Sequence, residues 1–499
     1  MVESVRRFVK SEHIACLHLV VLVLGTALMF SGCFHSAVWF DESYTVGMMN
    51  QSFGDMLRIS VADVHPPFYY IALWLFTRVF GCSAVAMRLF SALCASALGV
   101  LGYTHIRKDF GARTGLYFSL FLFLFGALFI SASDIRMYTL APLLVALMFI
   151  YCCRYWRSGF TDTHARVLYI LFALLAAYTH WYALAAAVVT ALFLIYPYWK
   201  SGRLLRWFVD AAFLLGLYIP GFFIFYTQAT RVAGGFWISF SYPDILFDTL
   251  RFFALGVEPA SDSLRMLALI VVIFAFCLLF HIVSRKNDVD GWRPSGYALG
   301  IVVCVIALYL IVSELFSPVY HVRYLGVLIA PVAFFLAFAV GRMRFPALRA
   351  VFPLLLCVLL VLRVIPLYQD RYAPNRDVMQ TFASAILPGD VVISENINIF
   401  GPLMVTAVEG EFYFYNPGWW PVDEAYQAFA PKLRDCVNDL AEIGTLAGRV
   451  WIVGENGRYS IYDGLQSAFG GLREIARGEV VQPYHDIEFD WTLYEVDPT

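Results

Sequence analysis

The amino-acid sequence predicts a polytopic α-helical membrane protein with a small α/β domain at its C-terminal end. Of the 499 residues, 61% are hydrophobic and only 14% are charged, whereas soluble proteins have about 45–50% apolar and about 25% charged residues. The mean hydropathy is +0.70, and the long apolar runs are confined to residues 1–367. This composition excludes a soluble enzyme, a disordered protein and a nucleic-acid-binding protein. The net charge of −2 indicates no particular partner.

Eleven apolar runs in the first 367 residues are candidates for transmembrane helices. A helix needs about 20 apolar residues to cross the hydrocarbon core of a bilayer, with a range of about 17–25. The candidates are 14–34, 84–106, 114–132, 137–153, 167–180, 182–199, 207–227, 264–284, 297–315, 324–341 and 347–367. Some are short or contain a polar residue, so we expect about eleven spans.

The basic residues predict the orientation of these helices. If the N-terminus lies inside, six inner segments each carry three Lys or Arg, and the outer loops before the tail carry eight in all. The six segments are 1–13, 107–113, 154–166, 200–206, 285–296 and 342–349. Because cytoplasmic loops of membrane proteins are enriched in Lys and Arg, we expect a multi-pass protein of the cell membrane. Residues 1–367 would form its membrane domain, and residues 368–499 would lie outside.

The first outer loop, residues 35–83, is expected to contain interfacial helices. Residues 68–80 are apolar but too short to cross the bilayer, and counting them as a span would place the basic segments outside. Pro66-Pro67 favours a helix start directly before this run. Residues 42–60 form a second candidate, with a weak capping pattern from Ser52 to Asp55. Both helices would lie along the membrane surface.

The tail alternates helix-like and strand-like runs and therefore predicts a small α/β domain. Strands are expected at 390–394, 450–453 and 491–496, and helices at 375–387 and 423–443. The aromatic run at 412–420 has two interpretations, a surface that stacks on sugar rings or a core strand followed by a turn, and the second is favoured. The tail sequence has no Gly-rich phosphate loop and no CxxC ligand spacing. We expect it to be a lid, a scaffold or an acceptor-binding module.

Polar side chains that would be costly inside a membrane gather at one predicted boundary, the outer one. A charged residue at the centre of a transmembrane helix costs roughly 2.5–3.5 kcal/mol, so its retention suggests a function. The residues concerned are Asp41, Glu42, His65, Arg88, Asp134, Arg136, Tyr138, His180, Glu314, His321, Arg323 and Tyr324. Each alone has a plain structural interpretation, such as a solvated loop acid or an arginine that anchors a helix end. Together they indicate a site for an anionic, lipid-borne substrate.

Several of these residues stand in short motifs whose order is informative. The motifs are Asp41-Glu42, His65-Pro66-Pro67-x-Tyr69-Tyr70, Arg88-Leu89-x-Ser91-Ala92-Leu93, Arg136-Met137-Tyr138 and Tyr178-Thr179-His180-Trp181-Tyr182. The set resembles the family 39-type glycosyltransferases, which include protein O-mannosyltransferases and bacterial aminoarabinose transferases, in the GT-C class of membrane enzymes. The similarity covers residues 35–200 best. It departs at Phe90, where the family often has proline, and at Asp134-Ile135, where it often has Glu-Ala.

The resemblance implies transfer of a sugar from a polyprenyl-phosphate carrier to a hydroxyl group of a glycan, lipid or protein acceptor at the outer face. It implies that Asp41 is the general base and that Glu42 orients Asp41 or the acceptor. Arg136 is the first candidate for binding the lipid phosphate, because the planar donors of arginine match phosphate oxygens. Further candidates for substrate binding are His65, Arg88, Tyr138, His180, His321, Arg323 and Tyr324.

The chemistry of the implied reaction agrees with these assignments. A sugar on a lipid phosphate already has an adequate leaving group, so the enzyme must activate the acceptor hydroxyl and stabilise the departing phosphate. A single displacement would invert the anomeric carbon. Some GT-C enzymes bind a divalent metal near the acids of the first outer loop. No ligand spacing in this sequence decides whether Asp41 and Glu42 do so.

Three other functional classes fit the sequence less well. A transporter or flippase predicts charged or helix-breaking residues near mid-membrane and often paired halves, and no clear internal repeat is visible in the sequence. Another enzyme of lipid-linked sugars, such as an O-antigen polymerase or ligase, fits less well with an acidic pair directly after the first span and a long outer tail. A scaffold would not need eleven spans. The donor sugar, the acceptor and the oligomeric state stay open.

Overall fold

A computed structural model shows a long series of helices followed by a mixed α/β region. The structure describes residues 2–35, 37–233, 238, 245, 248–249, 251–253, 263–285, 288–343, 346–371, 378–418, 426–429, 431–454, 460–469, 471–482 and 487–496. Its first helices are α1 (Val2–Ser31), α2 (Phe40–Met49), α3 (Phe53–Ala62), α4 (Phe68–Phe80), α5 (Ala84–Leu101), α6 (Arg107–Phe110), α7 (Ala112–Leu124), α8 (Gly126–Ala132), α9 (Leu140–Arg157), α10 (Thr163–Ala177) and α11 (Trp181–Phe193). They continue with α12 (Ile195–Lys200), α13 (Leu204–Leu217), α14 (Ile219–Ala233), α15 (Ser263–Arg285), α16 (Val289–Leu315), α17 (Ile329–Gly341), α18 (Pro346–Arg371), α19 (Val378–Ala383), α20 (Ile397–Thr406), α21 (Tyr426–Phe429) and α22 (Ser460–Ala468).

Each of the eleven predicted spans coincides with a helix or with a pair of consecutive helices. In the described part of the chain, seven helices are long and apolar enough to cross a membrane, and the number rises to nine if two bent pairs each count as one span. The bent pairs are α7 with α8, at 65°, and α13 with α14, at 59°. The protein is therefore a polytopic helical membrane protein, with up to nine full-length spans in the described ranges where the sequence predicts about eleven.

The predicted span at 167–180 lies on a helix that is too short to cross the membrane. Asp162 caps the start of α10 by accepting a hydrogen bond from the Ala165 N–H at 3.0 Å, and the helix ends at Ala177. Its 15 residues extend about 22 Å, which is shorter than the hydrocarbon core of about 30 Å.

Glycines allow the first helices of the membrane region to approach closely. A Cβ atom on Gly25 in α1 or on Gly99 in α5 would overlap the ring of Phe123 in α7. Small residues at such positions let neighbouring helices pack tightly in a membrane. Further along the chain, α17 is the most enclosed helix of this region, because every residue from 329 to 340 is buried.

The chain forms two compact units. The helical unit comprises residues 1–33, 64–69 and 88–366. The sheet unit comprises residues 34–63, 70–87 and 367–499. Most of the first outer loop thus packs together with residues of the tail.

The sheet unit contains a six-stranded sheet with the strand order β3-β2-β1-β4-β6-β5. The strands are β1 (Val391–Ser394), β2 (Glu411–Tyr415), β3 (Leu433–Val437), β4 (Gly448–Gly454), β5 (Leu472–Gln482) and β6 (Ile487–Val496). The first four strands are parallel, and β6 runs antiparallel to β4 and β5. Apolar clusters cover both faces, one around Phe400 and Trp451 and the other around Ile393 and Val450. Burial on both faces is typical of parallel strands that are joined by helices.

Three predicted strands of the tail are confirmed, and the helix predicted at 423–443 is wrong. Among the described residues of that range, the α-helix is limited to Tyr426–Phe429, and Leu433–Val437 is β3, which pairs in parallel with β2. Residues 433–437 have a helix-like pattern, but their pairing with β2 determines their conformation. Strand formation generally depends on such context more than on intrinsic propensity. Phe412 and Phe414 are buried in the core, which agrees with the core-strand interpretation of the aromatic run. Residues 419–425 lie outside the described residues.

Within the sheet unit, α2 packs against the short tail helices α20 and α21. The rings of Phe40 and Phe429 stack with centroids 4.2 Å apart. Gly47 lies so close to α21 that a Cβ atom would overlap the carbonyl oxygen of Ala428. The helix that carries Asp41 and Glu42 is therefore held by C-terminal residues.

We expect Gly47→Ala to destabilise the sheet unit by about 1–3 kcal/mol, because a backbone carbonyl cannot move aside as a side chain can. The measurement is thermal unfolding of the full chain in detergent. Gly54→Ala is the matched control, since the nearest atom to its Cβ would be the Ser52 Oγ at 4.0 Å. That control is expected to be neutral or slightly stabilising. Equal changes in the two variants would contradict the contact between Gly47 and Ala428.

Candidate functional site

The predicted site residues are distributed over both compact units. Asp41 and Glu42 belong to the sheet unit. The residues in the helical unit are His65, Arg88, Arg136, Tyr138, His180, His321, Arg323 and Tyr324. The acidic pair and the group of histidines and arginines are thus built by different parts of the fold.

Asp41 and Glu42 occupy the first turn of α2. Carboxylates are favoured there because a helix N-terminus carries partial positive charge. The Glu42 carboxylate accepts a hydrogen bond from the backbone N–H of Trp39 at 3.4 Å, and Glu42 is fully buried. Asp41 is half-buried, and consecutive helical residues point about 100° apart. The two acids therefore have different surroundings, and Glu42 fixes the start of the helix.

Hydrogen bonds fix the backbone around His65 to the helical unit. Trp181 Nε1 donates to the carbonyl oxygen of Val64 at 2.9 Å, and Gln228 Nε2 donates to that of His65 at 2.9 Å. The Phe68 N–H donates to the carbonyl oxygen of Tyr178 at 2.9 Å. Pro66 and Pro67, which have no N–H group, lie between these anchors. The imidazole of His65 is consequently held in a defined place.

Five predicted site residues form one group of histidine and tyrosine rings. From the ring centroid of Tyr324, the distances are 5.2 Å to His180, 5.5 Å to His321, 5.8 Å to His65 and 6.3 Å to Tyr138. The rings of His65 and His180 are 5.5 Å apart. These residues come from four separate turns or loops, so the fold brings together what the sequence keeps far apart.

Arg136 and Arg323 add positive charge to this ring group. Burial is the main reason that the pKa of His65 lies well below its usual value, and the charges of Arg136 and Arg323 lower this pKa further. The His65 imidazole is therefore neutral at pH 7. Since the guanidinium groups stay charged, the positive charge of the site comes from the arginines.

Arg88 contacts the turn that carries Arg136. It is fully buried, and its Nε donates to the carbonyl oxygen of Ser133 at 2.9 Å. On the same helix, Ser91 Oγ donates to the carbonyl oxygen of Asp134 at 2.6 Å. These contacts indicate that Arg88 positions the turn, and its direct contact with substrate remains a prediction.

His321 caps the short 3₁₀ helix Val322–Leu328 that carries Arg323 and Tyr324. The ring Nδ1 of His321 accepts a hydrogen bond from the backbone N–H of Arg323 at 3.3 Å. The backbone N–H of His321 donates to the Tyr182 hydroxyl at 3.3 Å. The ring of Tyr182 stacks on Tyr309 with centroids 3.6 Å apart. The loop between α16 and α17 is therefore attached to α11 at the ring group.

A cavity of about 700 Å³ in the helical unit borders the ring group. His65, His180 and Tyr324 line it together with apolar side chains that include Phe225 and Leu315. His65 Nδ1 and His180 Nε2 are buried and form no hydrogen bond within the described ranges. The cavity thus joins an apolar wall to the polar side chains of His65, His180 and Tyr324, and the charges of Arg136 and Arg323 act on His65.

Sequence reasoning missed Gln228 and Trp181 as anchors of the His65 segment. Gln228 is buried in α14 in an otherwise apolar run, and a lone amide at membrane depth is a signal that could have identified it. The sequence indicated Trp181 only as part of the motif at 178–182. Its hydrogen bond to Val64 could not be predicted, because no sequence pattern shows where an indole N–H donates. Neither contact could be assigned before the fold was known.

The described residues contain no group of three or more His, Cys, Asp or Glu that could hold a metal ion. Asp41 and Glu42 are two adjacent carboxylates, and Glu42 already accepts a hydrogen bond from Trp39.

No protein-family model and no curated protein matches this sequence. Among solved structures, the chain is similar to ArnT from Cupriavidus metallidurans bound to undecaprenyl phosphate, with a TM-score of 0.57 and 12% identity, covering 96% of this chain and 97% of that chain. The apo state of ArnT from the same organism gives a TM-score of 0.54 and 10% identity, covering 95% and 97%. The predicted resemblance is confirmed at the level of the fold. Over almost its whole length, this chain has the GT-C membrane fold of ArnT.

Proposed function

We propose that this protein is a GT-C glycosyltransferase that transfers a sugar from a polyprenyl-phosphate carrier to a hydroxyl acceptor. The observation that carries the proposal is the cavity of about 700 Å³, which combines an apolar wall with His65, His180 and Tyr324. The similar ArnT structure has undecaprenyl phosphate bound, a ligand with an apolar chain and an anionic head. A carrier of this kind matches both parts of the cavity.

The arginines would stabilise the leaving group. As the bond between the anomeric carbon and the phosphate oxygen breaks, its electron pair passes to the polyprenyl phosphate. Arg136 and Arg323, whose charges already act on His65, would neutralise the developing negative charge. Arg88 would act indirectly, by holding the backbone next to Arg136.

Asp41 would activate the acceptor. Its carboxylate takes the proton of the acceptor hydroxyl while that oxygen forms the new bond to the anomeric carbon. Attack opposite the departing phosphate inverts this carbon. The assignment rests on the acidic motif of the first outer loop and on the position of Asp41 in the first turn of α2. Glu42 would act through the helix, by capping its start at Trp39.

The proposed arrangement in the membrane follows the distribution of basic residues. The N-terminus would be cytoplasmic, residues 1–367 would form the catalytic membrane domain of the plasma-membrane protein, and residues 368–499 would form an extracytoplasmic domain. A transporter is less well supported, because the clustered residues lie mostly in turns and loops between helices. Charged groups along a transport path would lie near the middle of spans.

The test uses the full chain in lipid nanodiscs and a panel of polyprenyl monophosphates with different radiolabelled sugars. We expect one donor to lose its sugar, with the label recovered in water or on an added acceptor. The matched control is the same sugar on a polyprenyl diphosphate, which changes only the leaving group.

Two results would contradict the proposal. Cleavage of the diphosphate donor alone would indicate another enzyme of lipid-linked sugars. Movement of an intact donor across a proteoliposome membrane, with no bond cleaved, would indicate a flippase.

A further inference from the structure

A second cavity lies between α1, α7 and α18, and the proposed reaction does not use it. Its volume is about 350 Å³. Its polar lining consists of His13, Arg113, Tyr117 and Arg349, and the apolar lining includes Leu17 and Leu116. All of these residues belong to the helical unit. The cavity thus has a basic side and an apolar side.

The two arginines of this cavity differ in their ion pairing from other arginines of the helical unit. Within the ranges that the structure describes, Arg113 and Arg349 form no ion pair. Other arginines of the helical unit pair with aspartates: Arg154 with Asp109, Arg166 with Asp210 and Arg342 with Asp288. The positive charge of the cavity is therefore left for another partner.

The backbone contacts hold the basic side in place. The Tyr117 hydroxyl donates to the carbonyl oxygen of Arg349 at 3.3 Å, which ties α7 to α18. Arg349 Nη1 donates to the carbonyl oxygen of Met343 at 3.3 Å. The two guanidinium groups therefore line one cavity on separate helices that are joined to each other. An anion placed between them would gain charge-assisted hydrogen bonds from both.

We propose that this cavity binds an anionic phospholipid, with the headgroup phosphate at Arg113 and Arg349 and an acyl chain along Leu17 and Leu116. Leu17 is 53% exposed on a helix that is apolar enough to span the membrane, so an acyl chain can reach the cavity from the bilayer. A free phosphate would leave this apolar side without a partner. Basic pockets between transmembrane helices on the cytoplasmic side are suited to anionic lipid headgroups. Both arginines belong to segments that the charge distribution predicts to be inner.

The test is native mass spectrometry of the full chain released from detergent. Phosphatidylglycerol and phosphatidylcholine with identical acyl chains are the two probes, since they differ in headgroup charge. We expect wild-type protein to retain phosphatidylglycerol preferentially. In the double variant Arg113→Gln/Arg349→Gln, its affinity should fall about thirtyfold, because each basic residue near a membrane surface adds attraction for anionic lipid.

Two further variants separate charge from folding. Arg113→Lys/Arg349→Lys keeps both charges and should retain most of the preference. Lys200→Gln removes an exposed charge in another predicted inner segment and should bind lipid as the wild type does.

Three results would overturn the proposal. They are unchanged phosphatidylglycerol binding in the glutamine variant, equal retention of the two lipids by the wild type, and displacement of the lipid by millimolar inorganic phosphate. The last result would identify a site for a free anion. Because the readout is lipid retention, each of these outcomes is independent of whether sugar transfer is observed.

Discussion

Replacing Asp41 with asparagine is expected to lower the rate of sugar transfer by about 10³-fold, since general base catalysis contributes typically 10²–10⁴-fold. The amide cannot take the acceptor proton, but it has nearly the shape of the carboxylate and can remain in the first turn of α2. The donor should therefore still bind. The measurement is single-turnover release of labelled sugar in nanodiscs, together with the amount of donor bound to the protein.

Asp55→Asn is the matched control for this prediction. Asp55 also lies in the first turn of a helix of the sheet unit, α3, and it is exposed next to Arg58 at 3.6 Å. Its replacement removes the same charge and should leave the rate unchanged. A rate for Asp41→Asn within tenfold of the wild type, with equal donor binding, would remove Asp41 from the mechanism.

Replacing Arg136 with alanine is expected to lower kcat/KM by about 10²–10³-fold, the usual effect of removing one group that stabilises a developing negative charge. Arg136→Lys should recover only part of this loss, because lysine keeps the charge but lacks the planar donors of arginine. The measurement is kcat and KM for the donor, with Arg58→Ala as a control at an exposed site in the sheet unit.

The pH profile separates this role from a purely structural one. The positive charge of Arg136 contributes to the low pKa of His65, so its removal should raise that pKa. Any loss of activity through protonation of His65 would then begin at a higher pH in Arg136→Ala than in the wild type. A kcat/KM within threefold of the wild type would show that the phosphate is bound elsewhere.

The membrane helices follow from the sequence because a long apolar run has few alternatives in a bilayer. The lengths of these helices are harder to predict from the sequence, because they depend on local features such as side-chain caps and bends. The Asp162 side chain starts α10, and a change of direction separates α7 from α8. A count of apolar residues contains neither event, so it does not fix where each helix begins, bends or ends.

The ring group was predictable as a set, because membrane depth makes each polar residue conspicuous. Its geometry was not predictable, since His65, Tyr138, His180 and Tyr324 meet only through the packing of separate turns. Arg88 shows the limit most clearly. Its residue type predicts phosphate binding, and the fold adds a donation from its Nε to a backbone carbonyl oxygen that the sequence did not indicate. In the tail, β3 escaped detection because its pairing with β2 is a non-local effect.

The sheet unit is assembled from three separate stretches of the chain, and this has a consequence for biosynthesis. Residues 34–63 and 70–87 leave the ribosome early, but they share a compact unit with residues 367–499, which are synthesised much later. Closure of so large a chain loop is slow, and α2 must wait for α20 and α21 before it is covered. A nascent chain that stalls within the tail would therefore expose apolar residues such as Phe40 and become a substrate for quality-control proteases.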